Sequence, residues 1–315
     1  MINVYEAVDA NKRKSWLVIA GFVTFVFVAA VLISKGLAAY YGYQSTGLEL
    51  TGIALVISGV MSLAGYYWSD SIILGLSGAR LADKRHDFLF YTVAENLCLA
   101  AGLPLPKLYV IDDTALNAFA TGRDPAHAAI CATSGLLAKL TRTELEGVVG
   151  HELSHIGNYD TRLMAIVTIL VGLITLLGDW LLRASWFGGR SRSNEDRGSG
   201  ALFLAIGFVM ALLSPIIAQI IQLTISRRRE FLADASSVKL TRQPSGLISA
   251  LKKLGADREP LEVANKATAH LYIVNPLKNL PAGSQAATDP RGWFAGLFNT
   301  HPPLADRIRT LEQMS

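Results

Sequence analysis

His151-Glu152-Leu153-Ser154-His155 is the stretch of this 315-residue sequence that decides its fold. Two histidines four residues apart lie on the same face of an α-helix, because four steps of about 100° nearly close one turn. Their imidazoles can therefore bind one metal ion together, and Glu152 between them can take a proton from a water molecule beside that ion. This H-E-x-x-H pattern is typical of zinc peptidases, whereas the competing interpretation is a surface helix with two solvated histidines.

The region before the motif predicts an α+β arrangement. Thr141 and Glu144 form a T-x-x-E capping box, so the helix that carries the motif is predicted to begin at Thr141. Upstream, the sequence predicts a helix over residues 82–101 that is ended by Gly102. Alternating and β-branched residues then predict three strands, of which the last two are joined by a tight turn. These strands cover residues 107–111, 116–121 and 128–133.

The second predicted strand is a candidate for binding a peptide substrate. An edge strand beside an active-site helix can bind an extended peptide as one more strand of the sheet. An ordinary hairpin strand explains the same sequence equally well. The candidate residues are Asn117, Ala118, Phe119, Ala120 and Thr121.

Four apolar runs surround these elements. Hydrophobic residues make up 51% of the chain, charged residues only 17%, and the mean hydropathy is +0.35. A soluble domain usually carries more charge than this. Each run approaches the length of about 20 residues that crosses a bilayer as a helix. The runs cover residues 16–33, 48–68, 163–182 and 201–225.

Charge and cysteine content narrow the class of protein further. The net charge of +4 is modest, and no stripe of Lys and Arg with interleaved aromatics indicates a nucleic-acid partner. We therefore interpret the positive net charge as a preference for a membrane surface. The two cysteines, Cys98 and Cys131, lack C-x-x-C spacing. This favours a reducing compartment and two buried thiols over a disulfide framework.

Basic flanks predict the orientation of the runs, since positive flanks tend to stay cytoplasmic. They place the N-terminus, the segment after the second run and the C-terminus in the cytoplasm. The 183–200 link should then be external, yet it carries four arginines. The third and fourth runs therefore either span the membrane or form a hairpin partly buried against the protein. The predicted organisation is a membrane hairpin over 1–72, a first catalytic part over 73–162, an apolar hairpin over 163–225 and a second catalytic part over 226–315.

The third metal ligand must come from outside the motif, because a catalytic zinc takes three protein ligands and keeps one open position. Asn158 and Thr161 exclude the H-x-x-G-x-x-H extension that supplies a nearby third histidine. We expect Glu230 instead, since a returning hairpin brings it to the same membrane face as His155. The alternative for Glu230 is a surface acid paired with neighbouring arginines. Asp234, one helical turn further on, can accept the free N–H of a ligand histidine.

Two residues near the C-terminus are candidates for holding the transition state. His301 and Arg307 both carry side chains that can stabilise a developing oxyanion. A histidine at a helix start and a solvated arginine explain the same residues without any role in catalysis.

Further short motifs accompany H-E-L-S-H along nearly the whole chain. They are N-A-F-A-T-G at 117–122, Asn158 and Asp160 behind the histidines, E-F-x-A-D at 230–234, and H-P-P at 301–303 followed by Arg307. Together they resemble the motifs of the HtpX-type membrane zinc metalloproteases, a bacterial heat-shock quality-control family. The wider group includes the CAAX prenyl-protein endopeptidases.

This resemblance implies both a fold and a set of site residues. The implied fold is a zincin-like α+β metallopeptidase domain combined with membrane-spanning helices, namely two N-terminal spans plus a helical hairpin. One zinc ion per chain is implied as the cofactor. In this chain the implied zinc ligands are His151, His155 and Glu230, the base is Glu152, the transition-state residues are His301 and Arg307, and the residues around the ligands are Asn158, Asp160 and Asp234.

The implied function is a membrane-bound zinc endopeptidase of stress response and quality control that hydrolyses misfolded or damaged membrane proteins. Its partners would be membrane-protein or unfolded-polypeptide substrates and the lipid bilayer, without nucleic acid. Its place would be the inner (plasma) membrane, as a multi-pass protein whose catalytic domain faces the cytoplasm. Two alternatives stay open. One is a CAAX-type prenyl-protein endopeptidase, a group that resembles a larger multi-helix chamber, which four apolar runs are too few to build. The other is a non-catalytic membrane scaffold or metal-binding regulator, which has no need of Glu152.

Overall fold

A computed structural model describes residues 4–41, 51–170, 227–263, 268–276 and 302–314 of the chain. Helices and a small mixed sheet make up this part. In chain order the elements are α1 (Val4–Tyr41), α2 (Thr51–Leu76), β1 (Arg80–Leu81), α3 (Phe88–Ala101), β2 (Lys107–Ile111), β3 (Ala118–Gly122), β4 (Ala128–Thr133), α4 (Ser134–Lys139), α5 (Arg142–Gly157), α6 (160–170), α7 (Arg227–Thr241), α8 (Pro244–Ala256) and α9 (Leu304–Glu312).

The four strands form one sheet in the order β1-β2-β4-β3, so β3 lies at an edge. The pairs β1–β2 and β3–β4 are antiparallel, whereas β2 and β4 are parallel. The predicted strands over 107–111 and 128–133 are confirmed, and the middle strand begins two residues later than predicted. No local pattern predicts β1, which is only two residues long.

The helix predicted over 82–101 begins later, at Phe88. The chain before it forms a turn, because the Asp83 carboxylate accepts the backbone N–H groups of Arg85 and His86 at 2.8 and 2.9 Å. A short acidic side chain that bonds nearby backbone in this way competes with helix formation. The predicted end is confirmed, since Gly102 adopts the left-handed conformation that commonly closes a helix.

Helices cover both faces of the sheet. Leu108, Ala118 and Ile130 face one apolar core, against α3, α5 and α8. Phe119 and Cys131 face the other, against the end of α2 and against α6. All residues of β3 and β4 are therefore buried, which explains why their sequences are apolar almost without interruption.

The start of α5 is fixed as the sequence predicts. The Thr141 N–H donates to Glu144 Oε2 at 2.7 Å, and the Glu144 N–H donates to Thr141 Oγ1 at 3.4 Å. Lys253 of α8 also contacts Glu144 Oε2 at 2.7 Å. Burial alone would raise the pKa of Glu144, but the bonds from Lys253, Ser249 and Thr141 lower it to about 2. The ionised carboxylate therefore ties the first turn of α5 to α8.

The first apolar run lies in α1 and residues 51–68 of the second lie in α2, and these two helices pack against each other. Of the third run, the structure describes residues 163–170, which are buried. Here Ile169 lies close to Gly65 of α2. No helix in the described residues is both long enough and apolar enough to cross a membrane. The rest of the third run, the 183–200 link and the fourth run lie outside the described residues.

Candidate metal centre

Two helices bring three potential metal ligands together. His151 and His155 lie on the buried face of α5, and Glu230 lies in the first turn of α7. The two histidine Nε2 atoms are 3.2 Å apart. Glu230 Oε2 lies 3.7 Å from His151 Nε2, and Oε1 lies 3.6 Å from His155 Nε2. The three side chains thus converge as predicted, although they come from separate parts of the chain.

The close approach of α5 to α7 and α8 depends on two glycines before the motif. A Cβ atom on Gly147 would lie 2.8 Å from the Leu247 backbone of α8, and one on Gly150 would lie 2.9 Å from Ser237 Oγ of α7. Ser237 Oγ donates to the Gly147 carbonyl at 2.6 Å. Glu230 lies two turns before Ser237 on the same buried face of α7. This helix contact therefore determines where the Glu230 carboxylate lies.

The donor set fits a zinc ion. Two imidazoles and one carboxylate are a common ligand set of catalytic zinc. With bonds of about 2.0–2.1 Å in tetrahedral geometry, neighbouring ligand atoms lie about 3.3–3.4 Å apart. The 3.2 Å between the two Nε2 atoms is close to that value. The distances of 3.7 and 3.6 Å to Glu230 end on different oxygens of its carboxylate, Oε2 and Oε1, and place this carboxylate next to both imidazoles.

The charge around this point also suits a cation. In the described part of the site, four buried carboxylates stand against one fully buried arginine and one arginine that is partly exposed. The negative balance favours a divalent ion. The carboxylates are Glu152, Asp160, Glu230 and Asp234, and the arginines are Arg307 and Arg229.

Each ligand histidine is oriented by its own carboxylate. His151 Nδ1 lies 2.9 Å from Asp234 Oδ1, and His155 Nδ1 lies 3.0 Å from Asp160 Oδ2. An Nδ1–H that donates to a carboxylate leaves the Nε2 lone pair available for a metal. Asp234 therefore lies beside His151, and Asp160 occupies the equivalent place beside His155.

The negative charges of these carboxylates change the pKa of His155. Burial alone would lower its pKa, but the hydrogen bond with Asp160 and the charges of Glu230 and Glu152 raise the pKa to about 9. The same negative field attracts a metal cation. Glu152, which is 2% exposed, also raises the pKa of Arg307 through its charge. Its carboxylate therefore lies near both residues, at the same centre.

Arg307 is fully buried beside Asp234, and its guanidinium also lies 3.3 Å from His151 Nδ1 and 3.6 Å from Glu230 Oε2. Its Nε donates to Asp234 Oδ2 at 2.9 Å and its Nη2 to Asp234 Oδ1 at 2.6 Å. Burial would raise the pKa of Asp234, but the Arg307 charge and the bonds from His151 and Arg307 lower it to about 2. The interpretation of Arg307 as a solvated arginine is therefore wrong.

Asn158 and His301 are the remaining predicted site residues. Asn158 is the C-cap of α5, and its side chain donates to Ser154 Oγ at 3.3 Å. His301 lies outside the described residues. Asn11 was missed by sequence reasoning although it contacts Asp160, because it lies 149 positions away among basic flank residues.

The candidate substrate strand β3 has part of its outer edge occupied. The Ile273 N–H donates to the Ala118 carbonyl at 2.9 Å, and the Asn117 side chain donates to the Val274 carbonyl at 2.8 Å. The Asn117 carbonyl faces β4, where it accepts the Thr133 N–H at 3.0 Å. Because backbone direction alternates along a strand, the N–H and C=O groups of Ala118, Ala120 and Gly122 point to the outer edge.

The fold and the site define a metallopeptidase, and comparison with known proteins gives the family. Residues 90–315 match the model of peptidase family M48. The chain is 42% identical over 310 residues to the Protease HtpX homolog of Dictyoglomus thermophilum, covering 98% of this chain and 94% of that protein. It is 40% identical over 316 residues to the Protease HtpX homolog of Streptococcus uberis, covering 99% and 100%. The chain belongs to peptidase family M48, and its resemblance to the HtpX-type proteases is confirmed.

A solved structure is also similar. The crystal structure of S. mikatae Ste24p matches with a TM-score of 0.48 and 22% sequence identity, covering 98% of this chain and 67% of that one.

Proposed function

We propose that this metallopeptidase is a zinc-dependent endopeptidase with one zinc ion per chain, in which Glu152 is the general base. The observation that carries the proposal is the convergence of His151, His155 and Glu230 at separations of 3.2–3.7 Å. A metal-binding scaffold or regulator needs these ligands but does not need a buried carboxylate between the two histidines. The intact Glu152 therefore favours an enzyme over a regulator.

In the proposed mechanism the chain's own groups position the reactants and move the proton. When bound, zinc supplies Lewis-acid chemistry that acidifies water and polarises a peptide carbonyl. Glu152 takes the proton of the attacking water and delivers it to the leaving amine. Asp234 and Asp160 keep the two imidazoles in fixed orientations throughout. The transition-state roles expected for His301 and Arg307 stay predictions.

The proposed substrate is an extended polypeptide bound along β3. The strand is an edge strand next to α5, and the backbone groups of Ala120 point to its outer edge. Since Ile273 already occupies the Ala118 carbonyl, we place peptide pairing at Ala120 and beyond. Ala120 is buried in this structure, so pairing there requires this edge of the sheet to open. Backbone pairing of this kind needs an unfolded segment and reads little sequence, which suits misfolded proteins as substrates.

We also propose that the site lies beside a lipid bilayer. Asn11, which contacts the site residue Asp160, is five residues before Trp16, where the first apolar run begins. Five helical residues rise only about 7.5 Å. Trp16 is 62% exposed and stacks on Tyr66 of α2 at 6.2 Å between ring centroids. Tryptophan and tyrosine are enriched at membrane interfaces. The Arg162 guanidinium lies over the Tyr66 ring, 5.5 Å from its centre.

This placement supports membrane proteins and unfolded chains as substrates, in a quality-control role. The basic flanks support an inner-membrane protein whose catalytic domain faces the cytoplasm.

The proposal is tested on the detergent-purified chain by measuring zinc per chain and cleavage of an unfolded protein such as casein. We expect Glu152→Gln to keep zinc and lose about 10²–10⁴-fold in turnover, the range for general acid–base catalysis. Glu230→Ala should lose zinc. Glu146→Gln is the matched control, because Glu146 lies on the same helix and pairs with the exposed Arg142.

Two outcomes contradict the proposal. Wild-type turnover in Glu152→Gln rejects Glu152 as the base. Unchanged zinc stoichiometry in Glu230→Ala rejects Glu230 as a ligand.

A further inference from the structure

Asn11 of α1 reaches into the metal centre from a helix that no motif connects with catalysis. Its side chain is buried at 3% exposure. Nδ2 donates to the Asn158 carbonyl at 2.9 Å and to Asp160 Oδ1 at 2.7 Å. Both hydrogens of the amide nitrogen are thereby used, and both acceptors lie immediately after the helix that carries the ligand histidines.

The contact with Asp160 acts on a metal ligand through one intermediate side chain. Asp160 Oδ2 bonds to His155 Nδ1 at 3.0 Å, while Oδ1 accepts from Asn11 and lies 3.4 Å from Arg229 Nη1. The two oxygens of the carboxylate are thus held from opposite sides. Since a carboxylate rotates easily about its last bond, the bonds to Oδ1 fix the direction in which Oδ2 meets the imidazole.

The second contact of Asn11 holds the corner that presents Asp160. Between α5 and α6 the chain turns at Tyr159, whose φ of 60° lies in the left-handed region. For a residue with a side chain this conformation is unfavourable, so surrounding contacts must maintain it. Asn11 holds the Asn158 carbonyl on one side of Tyr159, and Lys12 Nζ lies 4.6 Å from the centre of the Tyr159 ring. Two consecutive residues of α1, Asn11 and Lys12, therefore contact this turn.

We propose that Asn11 is a positioning residue of the metal centre: by fixing Asp160 it fixes His155, so that α1 forms part of the peptidase site. This inference rests on one part of the proposed function, namely that His155 is a metal ligand. The chemistry explains the residue type, since a short side chain with two N–H groups on one nitrogen is an asparagine. Aspartate has the same shape but offers no donor, and leucine has a similar volume but no polar group.

The test measures zinc affinity of the full-length protein in detergent by competition with a chelator. Asn11→Asp and Asn11→Leu should weaken zinc binding by about 10–100-fold, the usual effect of losing a group that orients a ligand. Ser15→Ala is the matched control. Ser15 is buried one turn further along α1 and donates to the Asn11 carbonyl at 2.9 Å, and its loss should change the affinity less than about twofold.

A double-mutant cycle separates positioning from general damage to the fold. If Asn11 acts through Asp160, then Asn11→Leu should have almost no further effect on zinc affinity once Asp160→Asn is present. At saturating zinc, Asn11→Leu should lower kcat with little change in KM. Comparisons use variants whose far-UV circular dichroism and size-exclusion profile match the wild type, and the aspartate and leucine variants replace each other if one does not fold.

The failures of the two proposals are distinguishable. A wild-type protein that binds no zinc overturns the metal site itself, and with it this inference. A wild type that binds zinc, with Asn11 variants of equal affinity or with fully additive effects of the two substitutions, overturns the positioning role alone.

Discussion

Arg307 shows how a single buried residue can contact several side chains of the candidate metal centre. Its guanidinium binds both oxygens of Asp234, whose Oδ1 also meets His151 Nδ1 at 2.9 Å. Planar, two-pronged contact of this kind fixes a carboxylate more firmly than a point charge does. Arg307 has no exposed surface, so its two bonds to Asp234 account for the side chain's position better than a contact with substrate. We therefore expect Arg307 to hold Asp234 and thereby His151, which its Nη2 also approaches directly at 3.3 Å from Nδ1.

Arg307→Lys separates this role from direct stabilisation of the transition state. Lysine keeps the charge but loses the two-pronged bond, so we expect a loss of about 1–3 kcal/mol in the free energy of unfolding. Zinc affinity should fall as well. Thermal unfolding and chelator competition measure the two effects, with Arg309→Lys on the exposed side of the same helix as control. Wild-type stability and zinc affinity together with lost turnover would instead support the transition-state role.

At this scale the sequence predicts residue types better than contacts. His151 and His155 follow from helical spacing, and Asp234 follows from its place one turn beyond Glu230. The burial of Arg307 could not be predicted, because arginine is mostly exposed unless it is paired and the pairing depends on the fold. Asn11 gives no signal, since its partner lies 149 positions further on.

Among the helices and strands, the contact between α5 and its neighbours positions the third ligand. Gly147 and Gly150 leave no side chain where α8 and α7 cross α5, so these helices approach to backbone distance. Small residues at this spacing allow close helix packing in general. The two glycines before the motif are a usable sequence signal for that contact, which the spacing of the histidines alone does not provide.

Gly147→Ala tests the importance of this contact. A Cβ at this position meets the Leu247 backbone at 2.8 Å, so α5 or α8 must shift. Despite the better helix propensity of alanine, we expect a loss of about 1–3 kcal/mol in stability. Zinc affinity should also weaken, because a shift of α5 moves the two histidines relative to Glu230 of α7. Gly157→Ala is the control, because its nearest contact is Leu103 Cδ1 at 3.6 Å, and it should be neutral or slightly stabilising.

Equal stability and zinc affinity of the two glycine variants would show that the helix contact adapts without cost.

The strands differ in how far local sequence predicts them. Residues 107–111 are recognisable from their alternating, β-branched and aromatic residues, and residues 128–133 form an almost continuous apolar run that is buried. The parallel pairing of β2 with β4 and the two-residue β1 depend on distant partners, so local pattern does not predict them.

Across the whole molecule, the candidate metal centre draws on five helices from separate parts of the described chain. α5 supplies two potential ligands, α7 the third, α6 the carboxylate of Asp160, α9 the arginine that binds Asp234, and α1 the amide that holds Asp160. A metal bound between α5 and α7 connects parts of the chain on either side of residues 171–226. Ligand binding to the folded state alone stabilises a protein by mass action, and the proposed zinc should do so here.

Zinc removal is therefore expected to destabilise the folded chain by an amount that depends on free zinc. At a free concentration of about 100 times Kd, zinc should add about 2.7 kcal/mol to the free energy of unfolding. For a folded region of about 150–250 residues, each kilocalorie per mole corresponds to roughly 2–4 °C in Tm. Thermal unfolding in detergent, with chelator and with buffered zinc, measures this difference. Glu230→Ala should reduce the zinc-dependent shift strongly, whereas Glu146→Gln should leave it unchanged. An equal shift in Glu230→Ala would mean that zinc stabilises the protein at some other place, and that α5 and α7 are held together by their packing alone.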